Sequence, residues 1–300
     1  MSSSTTKLAA TAGGELWARP TIGKEYIQTG QSIMESPIRD LVLQSGVIDA
    51  VRSGQQVNLW DNACGAGTVT SLFQAAVQDV DPANLSVTCT DFSAGMIKAT
   101  EERAKDENWK NVDVHIADSQ DTKLPDAKFT HTITSFAFGL FPNSDAALNE
   151  IHRSLVPGGV FGMSTWNYIG WPELLQRGLA FAGSPLVVGD WLGEGNKRSG
   201  YGWNSAEAIE KLLTDRGYTD IKITLKPTKK PMTKEEFTDG PGGKTMVTLL
   251  MGGYSDAERK EWEGKILPAL ADHWDEVSDE NGLWELRMDA LITTAKKSLV

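Results

Sequence analysis

The chain has 300 residues, 40% of them hydrophobic and 23% charged, with a formal net charge of −11: ordinary globular composition with enough apolar material for a full core. A surface this acidic repels phosphate backbones and anionic lipid, which argues against nucleic acid and membranes as partners. No run of about 18 apolar residues offers a membrane span, and two cysteines without paired spacing plus four scattered histidines leave neither a disulfide framework nor a metal site.

The opening MSSSTTKLAATAGGE is polar and lacks a signal-length apolar stretch, so residues 1–16 read as a tail on a cytoplasmic protein and 17–300 as one domain. From 57 to 166 short β-rich runs alternate with helical periods, the pattern of an α/β sheet with mostly parallel strands. The predicted strands are 57–61 (VNLWD), 85–90 (LSVTCT), 112–117 (VDVHIA), 129–138 (FTHTITSFAF) and 159–166 (GVFGMSTW). Ser93 is placed to cap a helix beginning AGMIKAT, and Asn143 to cap SDAALNEIHRSLV, which stops at Pro157. An aromatic, glycine-bearing insertion follows. Ser205 then starts another helix, YTDIKITL reads as a strand, the stretch 255–277 as one long amphipathic segment kinked at Pro268, and ALITTAKK as a final strand.

The first strand ends in Asp61 and runs through Ala63, Cys64 and Gly65 to Gly67 before a helix pattern begins. Such a turn offers backbone N–H groups with no side chain in a ligand's way. A dinucleotide would favour a third glycine where Thr70 stands, and Asp61 would oppose its pyrophosphate. A cationic guest such as S-adenosyl-L-methionine is attracted by that acid instead. Thirty residues on, Asp91 stands at the tip of the neighbouring strand, where a carboxylate can accept both ribose hydroxyls, with Phe92 and Met96 on the adjacent wall. At the third tip, Ala117, Asp118 and Ser119 suit an adenine edge; at the fourth, Ser135 and Phe136 form a floor. Phe138 with Trp166, Trp171, Trp191 and Trp203 can line a flat apolar acceptor cavity. Each residue also has a plainer reading: the glycines as a tight turn, Asp91 as a helix cap, Cys64 and the tryptophans as packing, His115, His131 and His152 as structural histidines. Glu173 is an acid within reach of the insertion, though its spacing singles it out for nothing.

These motifs resemble the class I S-adenosylmethionine-dependent methyltransferases. DNACGAG is similar to the family's DxGxGxG turn, with Ala63 in place of the first glycine, and LPDAKFTHTI, FPNSDAALNEIHRSL, PGG and STW resemble its fourth- and fifth-strand region. More narrowly, DNACG, LPDA-x-x-TH, FP-x-x-x-AAL, STW with a Trp five residues on, and ALITT look like the fungal thiol methyltransferases of the gliotoxin bis-thiomethyltransferase type, over about residues 20 to 297. The resemblance implies a Rossmann-like α/β fold with a seven-stranded sheet of order 3-2-1-4-5-7-6, its last strand antiparallel. It further implies a helical cap over 17–52, substrate-cap insertions at 167–204 and about 233–285, and Tyr26 near the methionine moiety of the cofactor.

Methyl transfer is an in-line displacement at a carbon that a positive sulfur already activates, so alignment and exclusion of water carry most of the rate. A thiol acceptor, with a reference pKa near 8.5, needs no dedicated base, and no Ser-His-Asp or lysine constellation is visible. The expected activity is S-methylation of a small hydrophobic thiol or dithiol, such as an epipolythiodiketopiperazine, by a monomer or homodimer. N- or O-methylation of another fungal metabolite, a non-methylating pericyclase or regulator that retains the cofactor, and a nicotinamide dehydrogenase are the alternatives.

Overall fold

The computed structural model describes residues 17, 19, 22, 23, 27 and 31–299. Eight strands are present among them: β1 (Val57–Asn62), β2 (Leu85–Asp91), β3 (Val112–Ile116), β4 (Phe129–Ser135), β5 (Leu155–Ile169), β6 (Tyr218–Lys226), β7 (Lys229–Met232) and β8 (Trp284–Lys297). They form a sheet in the order β3-β2-β1-β4-β5-β8-β6, with β7 pairing β8 outside that path. The strands β1 to β5 pair in parallel, whereas β8 runs antiparallel to both β5 and β6. The order expected from the sequence therefore holds, β8 taking the place of the expected seventh strand between β5 and β6, with one strand added. That strand, Lys-Lys-Pro-Met, lacks apolar alternation and carries a proline, which a sheet tolerates only at an edge. Its pairing with 284–287 is what lengthens β8 beyond ALITTAKK.

The helices are α1 (Gln31–Gln44), α2 (Val47–Arg52), α3 (Thr68–Ala76), α4 (Ala94–Asp106), α5 (Ser144–Ser154), α6 (Trp171–Phe181), α7 (Trp191–Ser199), α8 (Ala206–Asp215), α9 (Lys234–Thr238), α10 (Pro241–Met251), α11 (Asp256–Trp262) and α12 (Ile266–Asp272). The three anticipated caps form: Ser93, Asn143 and Ser205 accept from the amides of Met96, Ala146 and Ala208, each contributing about 1 kcal/mol. The amphipathic stretch 255–277 is broken into α11, a 3-10 turn at Glu263–Lys265 and α12. Pro268 does not kink it. It lies in the first turn of α12, where its missing N–H has no helical partner to lose.

Alternation along the central strands feeds two cores. Leu59, Val87, Ile133 and Cys89 pack with Ile38, Leu41, Val42 and Phe73 on one face, and Trp60, Phe129 and Phe161 pack with Leu148, Ile151 and Leu213 on the other. Helix α1 was expected as part of a cap, yet most of its apolar face joins the sheet. Leu41 approaches β5 so closely that a Cβ on Gly162 would lie 3.2 Å from it. A third cluster belongs to the insertions: Leu174, Leu175, Phe237, Leu250 and Leu270 pack with Leu286 at the start of β8 and Ile169 at the end of β5. It forms a roof over the rim where the parallel strands end. No helix among the described residues is long and apolar enough to cross a membrane.

Candidate active site

Between the strand tips and the roof lies a cavity of about 330 Å³, at the size where small-molecule sites begin. Ala63, Gly65, Asp91, Phe92, Met96, Asp118, Ser119, Ser135 and Phe136 line its sheet side; Trp166, Trp171, Trp191 and Trp203 line the side of the insertion. The placement follows from topology, since the C-terminal ends of β1, β2, β4 and β5 and the loop after β3 meet at one edge.

Asp91 is the acid of the cavity. Its Oδ2 accepts from the Gly65 amide and its Oδ1 from the Ser93 amide, both at 2.9 Å. A carboxylate has about four acceptor positions, so two remain after these bonds. Burial pushes its pKa up to about 6, against the hydrogen bonds from Ser93 and Gly65. Asp118 also lines the cavity, with Oδ1 held by the backbone and side-chain amides of Gln120 at 2.9 Å. Ser119 donates to Asn62 Oδ1 at 2.8 Å, and Asn62 donates to Thr134 at 3.0 Å, joining the β1 and β4 tips to the loop after β3. Asn62 is fully buried. Nothing in the sequence marks it, because a single polar residue at a strand end carries no spacing signal.

The cavity floor is strained. Phe136 has φ 54°, a left-handed conformation that costs a non-glycine residue about 1–3 kcal/mol. The hydrogen bond that its backbone N–H donates to the Ser164 carbonyl and the stacking of its ring on Trp166, centroids 3.9 Å apart, hold it there. Ala63 is left-handed as well, at φ 52°, which explains why a glycine suits this place in the turn.

Several residues assigned from sequence lie elsewhere. Asp61 does not face the cavity: Thr70, through its amide at 3.2 Å and its hydroxyl at 2.7 Å, occupies Oδ2. Thr70 thus stands at the third-glycine position because it serves the aspartate. Burial raises Asp61 to about 7, opposed by the Thr70 bonds. Cys64 turns into the core beside Thr100, its thiol pushed well up by contact with Cys89 and by burial. Gly67 lies against Trp109. Ala117 uses its amide to tie the chain after β3 to the Asp91 carbonyl. Phe138 is fully buried behind Trp203, ring centroids 4.6 Å apart. Glu173 accepts from the Tyr168 hydroxyl at 2.8 Å and does not line the cavity. Tyr26 lies outside the described residues. Conversely, Trp17, Met34, Lys230 and Met246 line it unforeseen. They come from segments far apart in sequence, without a shared period to announce them.

Asp61 gives a pH prediction. Its folded pKa exceeds the unfolded value near 3.9, so the native state binds the extra proton between about pH 4 and 7. The stability this contributes is complete below pH 4 and is lost as pH rises through 7. Asp61→Asn escapes that loss, so its stability relative to wild type, measured by urea denaturation, is expected to grow from pH 5 to pH 8. A difference independent of pH would contradict the placement.

A family described as a methyltransferase domain matches residues 60–159, the segment that carries the end of β1, all of β2 to β4 and the sheet-side lining residues from Ala63 to Phe136. The methyltransferase afvD of Aspergillus flavus is 36% identical over 272 residues, covering 90% of each chain. The chain belongs to the methyltransferases. The acetylaranotin bis-thiomethyltransferase of Aspergillus terreus is 25% identical over 261 residues, covering 86% of this methyltransferase and 88% of that one. Among solved structures, the YcgJ protein of Bacillus subtilis superposes with a TM-score of 0.53 at 14% identity, covering 88% of this chain and 98% of its own; it shares the fold.

Proposed function

We propose that this methyltransferase binds S-adenosylmethionine at the strand tips and methylates the sulfur of a small hydrophobic metabolite. The observation that carries this reading is the chemistry of the lining. Among the described residues its ionisable side chains are Asp91, Asp118 and Lys230, with no histidine, cysteine, glutamate or tyrosine. The two carboxylates sit where a nucleoside and a cationic donor would be recognised, and the rest of the wall is mostly apolar.

The donor fits these residues. Asp91 keeps two acceptor positions for a ribose diol, and a Cβ on Gly65 would meet no atom within 4 Å, so the turn leaves room beside the carboxylate. When bound, the cofactor supplies an electrophilic methyl group on a positive sulfur. The protein's part is then positional. Asp91 and Asp118 would hold the nucleoside, the Phe136–Trp166 stack would present a flat floor to the acceptor, and the roof would keep water out. Sulfur is favoured because, among the described residues, the wall has no histidine and its two carboxylates are the ones assigned to the nucleoside, whereas a thiol is partly ionised at neutral pH without help from a base. The likeness to a bis-thiomethyltransferase points the same way.

Incubation with donor bearing a deuterated methyl group and the probes 2-mercaptoacetophenone and 2-phenylethanethiol is expected to place the label on sulfur, read by mass spectrometry. Absence of the labelled thioether from both would contradict the thiol assignment.

A further inference from the structure

The roof brings one cation to the cavity. Lys230, on β7, lines it, and among the described lining residues it carries the sole positive charge. Strand alternation sets its direction. Lys229 and Pro231 are exposed, and Lys229 Nζ meets Glu285 Oε1 at 2.6 Å on the outer face. Lys230 and Met232 take the opposite face, where Lys230 pairs with Leu286 in the register and Met288 follows two residues on; all four line the cavity. Met232, Leu286 and Met288 are buried, whereas Lys230 is half-buried. A methionine would fill such a place at less cost in hydration, so packing does not account for the ammonium. It has three donors, and a partner within the protein leaves others for a ligand.

Position along the strands separates Lys230 from the floor. Trp166, a member of the Phe136–Trp166 stack, is opposite Ala290 of β8, and Leu286 comes four residues earlier, roughly 13 Å at the rise of an extended strand. Charge is thereby divided along the chamber, with Asp91 and Asp118 at the strand tips and Lys230 at the roof end. An acceptor anion is repelled from the tips and attracted to Lys230, which turns the other end of the molecule toward the floor and the donor. A single ammonium, with no second cation among the described lining residues, matches the one negative charge of a carboxylate better than a phosphate dianion.

We propose that Lys230 forms a subsite for a carboxylate of the acceptor, at the end remote from its nucleophile, so that the enzyme prefers apolar acids to neutral molecules of the same shape. The proposal rests on the reading of the strand tips as the donor site and the rest of the cavity as the acceptor chamber. Its test is a binding comparison, in the presence of saturating S-adenosylhomocysteine, of 4-(2-mercaptoethyl)benzoate and 2-phenylethanethiol, which differ by the carboxylate alone. Calorimetry with wild type is expected to favour the acid by about tenfold, the low end for a hydrogen bond between charged groups because a half-buried lysine is screened by solvent. Lys230→Met, confirmed folded by its melting curve, is expected to bring the ratio to within about twofold of one, and Lys230→Arg to keep most of the preference. Equal binding of the two probes by wild type, binding of neither, or a preference that survives in Lys230→Met would overturn the proposal. The methionine carboxylate of the donor is the other source of this chemistry: a loss of S-adenosylhomocysteine affinity in Lys230→Met, of about tenfold, would assign the lysine to the donor and overturn the proposal as well. If the acid preference is present and falls in Lys230→Met but no S-methyl product forms in the assay above, the thiol assignment fails while the carboxylate subsite stands.

Discussion

Replacing Asp91 with alanine is expected to weaken S-adenosylhomocysteine binding by at least about 100-fold. Two hydrogen bonds from a ribose diol to a carboxylate contribute about 1.5–3 kcal/mol each, and about 1.4 kcal/mol is a factor of ten in affinity. Asparagine is no gentle substitute. Both carboxylate oxygens already accept a backbone N–H, from Gly65 and Ser93, and the asparagine amide group would turn donors toward one of them. Protonation should act as the mutation does. With its pKa at about 6, Asp91 offers full acceptor capacity above pH 7, and wild-type affinity is expected to fall as pH drops through 6 while the alanine variant shows no such dependence. Calorimetry across pH 5 to 8 measures both effects; an affinity unchanged by the substitution would remove Asp91 from the site.

The two glycines of the β1 turn are expected to fail in different ways. Gly67 has φ 74°, and a Cβ there would lie 2.7 Å from Trp109 Cη2 and 3.1 Å from Thr100 Cγ2. Gly67→Val therefore combines left-handed strain, roughly 1–2 kcal/mol and more for a β-branched residue, with overpacking of about 1–3 kcal/mol. A fall in melting temperature on the order of 5–10 °C is expected. Gly65 has φ 55°, but a Cβ there meets nothing within 4 Å. Gly65→Ala should cost only about the strain in stability, while its methyl intrudes on the space beside Asp91 and lowers cofactor affinity. Thermal melts paired with calorimetry separate the cases, and equal losses of stability in both variants would contradict the assignment of one glycine to packing and the other to the site.

The sheet was legible because its signals are local. Strands ending at or beside Asp61 and Asp91 and caps at Ser93, Asn143 and Ser205 need only neighbouring residues to be recognised, and a parallel sheet follows from their alternation; the helix expected to run to Pro157 ends earlier, at Ser154, because β5 already begins at Leu155. The acid facing the cavity was not fixed by the same reasoning. Asp61 and Asp91 look equivalent as strand-end carboxylates, and only the tertiary position of Thr70 turns one inward and leaves the other at the rim. The roof was least visible. Helices α9, α11 and α12 have only five, seven and seven residues, so each shows too few turns for a clear period, and the break at Glu263–Lys265 has no proline to mark it. Phe138 shows a related limit: β4 ends at Ser135 and Phe136 turns left-handed, so alternation extended to residue 138 assigns the wrong face.

A crystal structure with S-adenosylhomocysteine tests the account most directly. It should show both ribose hydroxyls within hydrogen-bonding distance of the Asp91 carboxylate, the adenine beside Asp118 and Ser119, and the sulfur facing the Phe136–Trp166 stack. A nucleoside bound away from Asp91, or lying across the aromatic wall of the insertion, would contradict it.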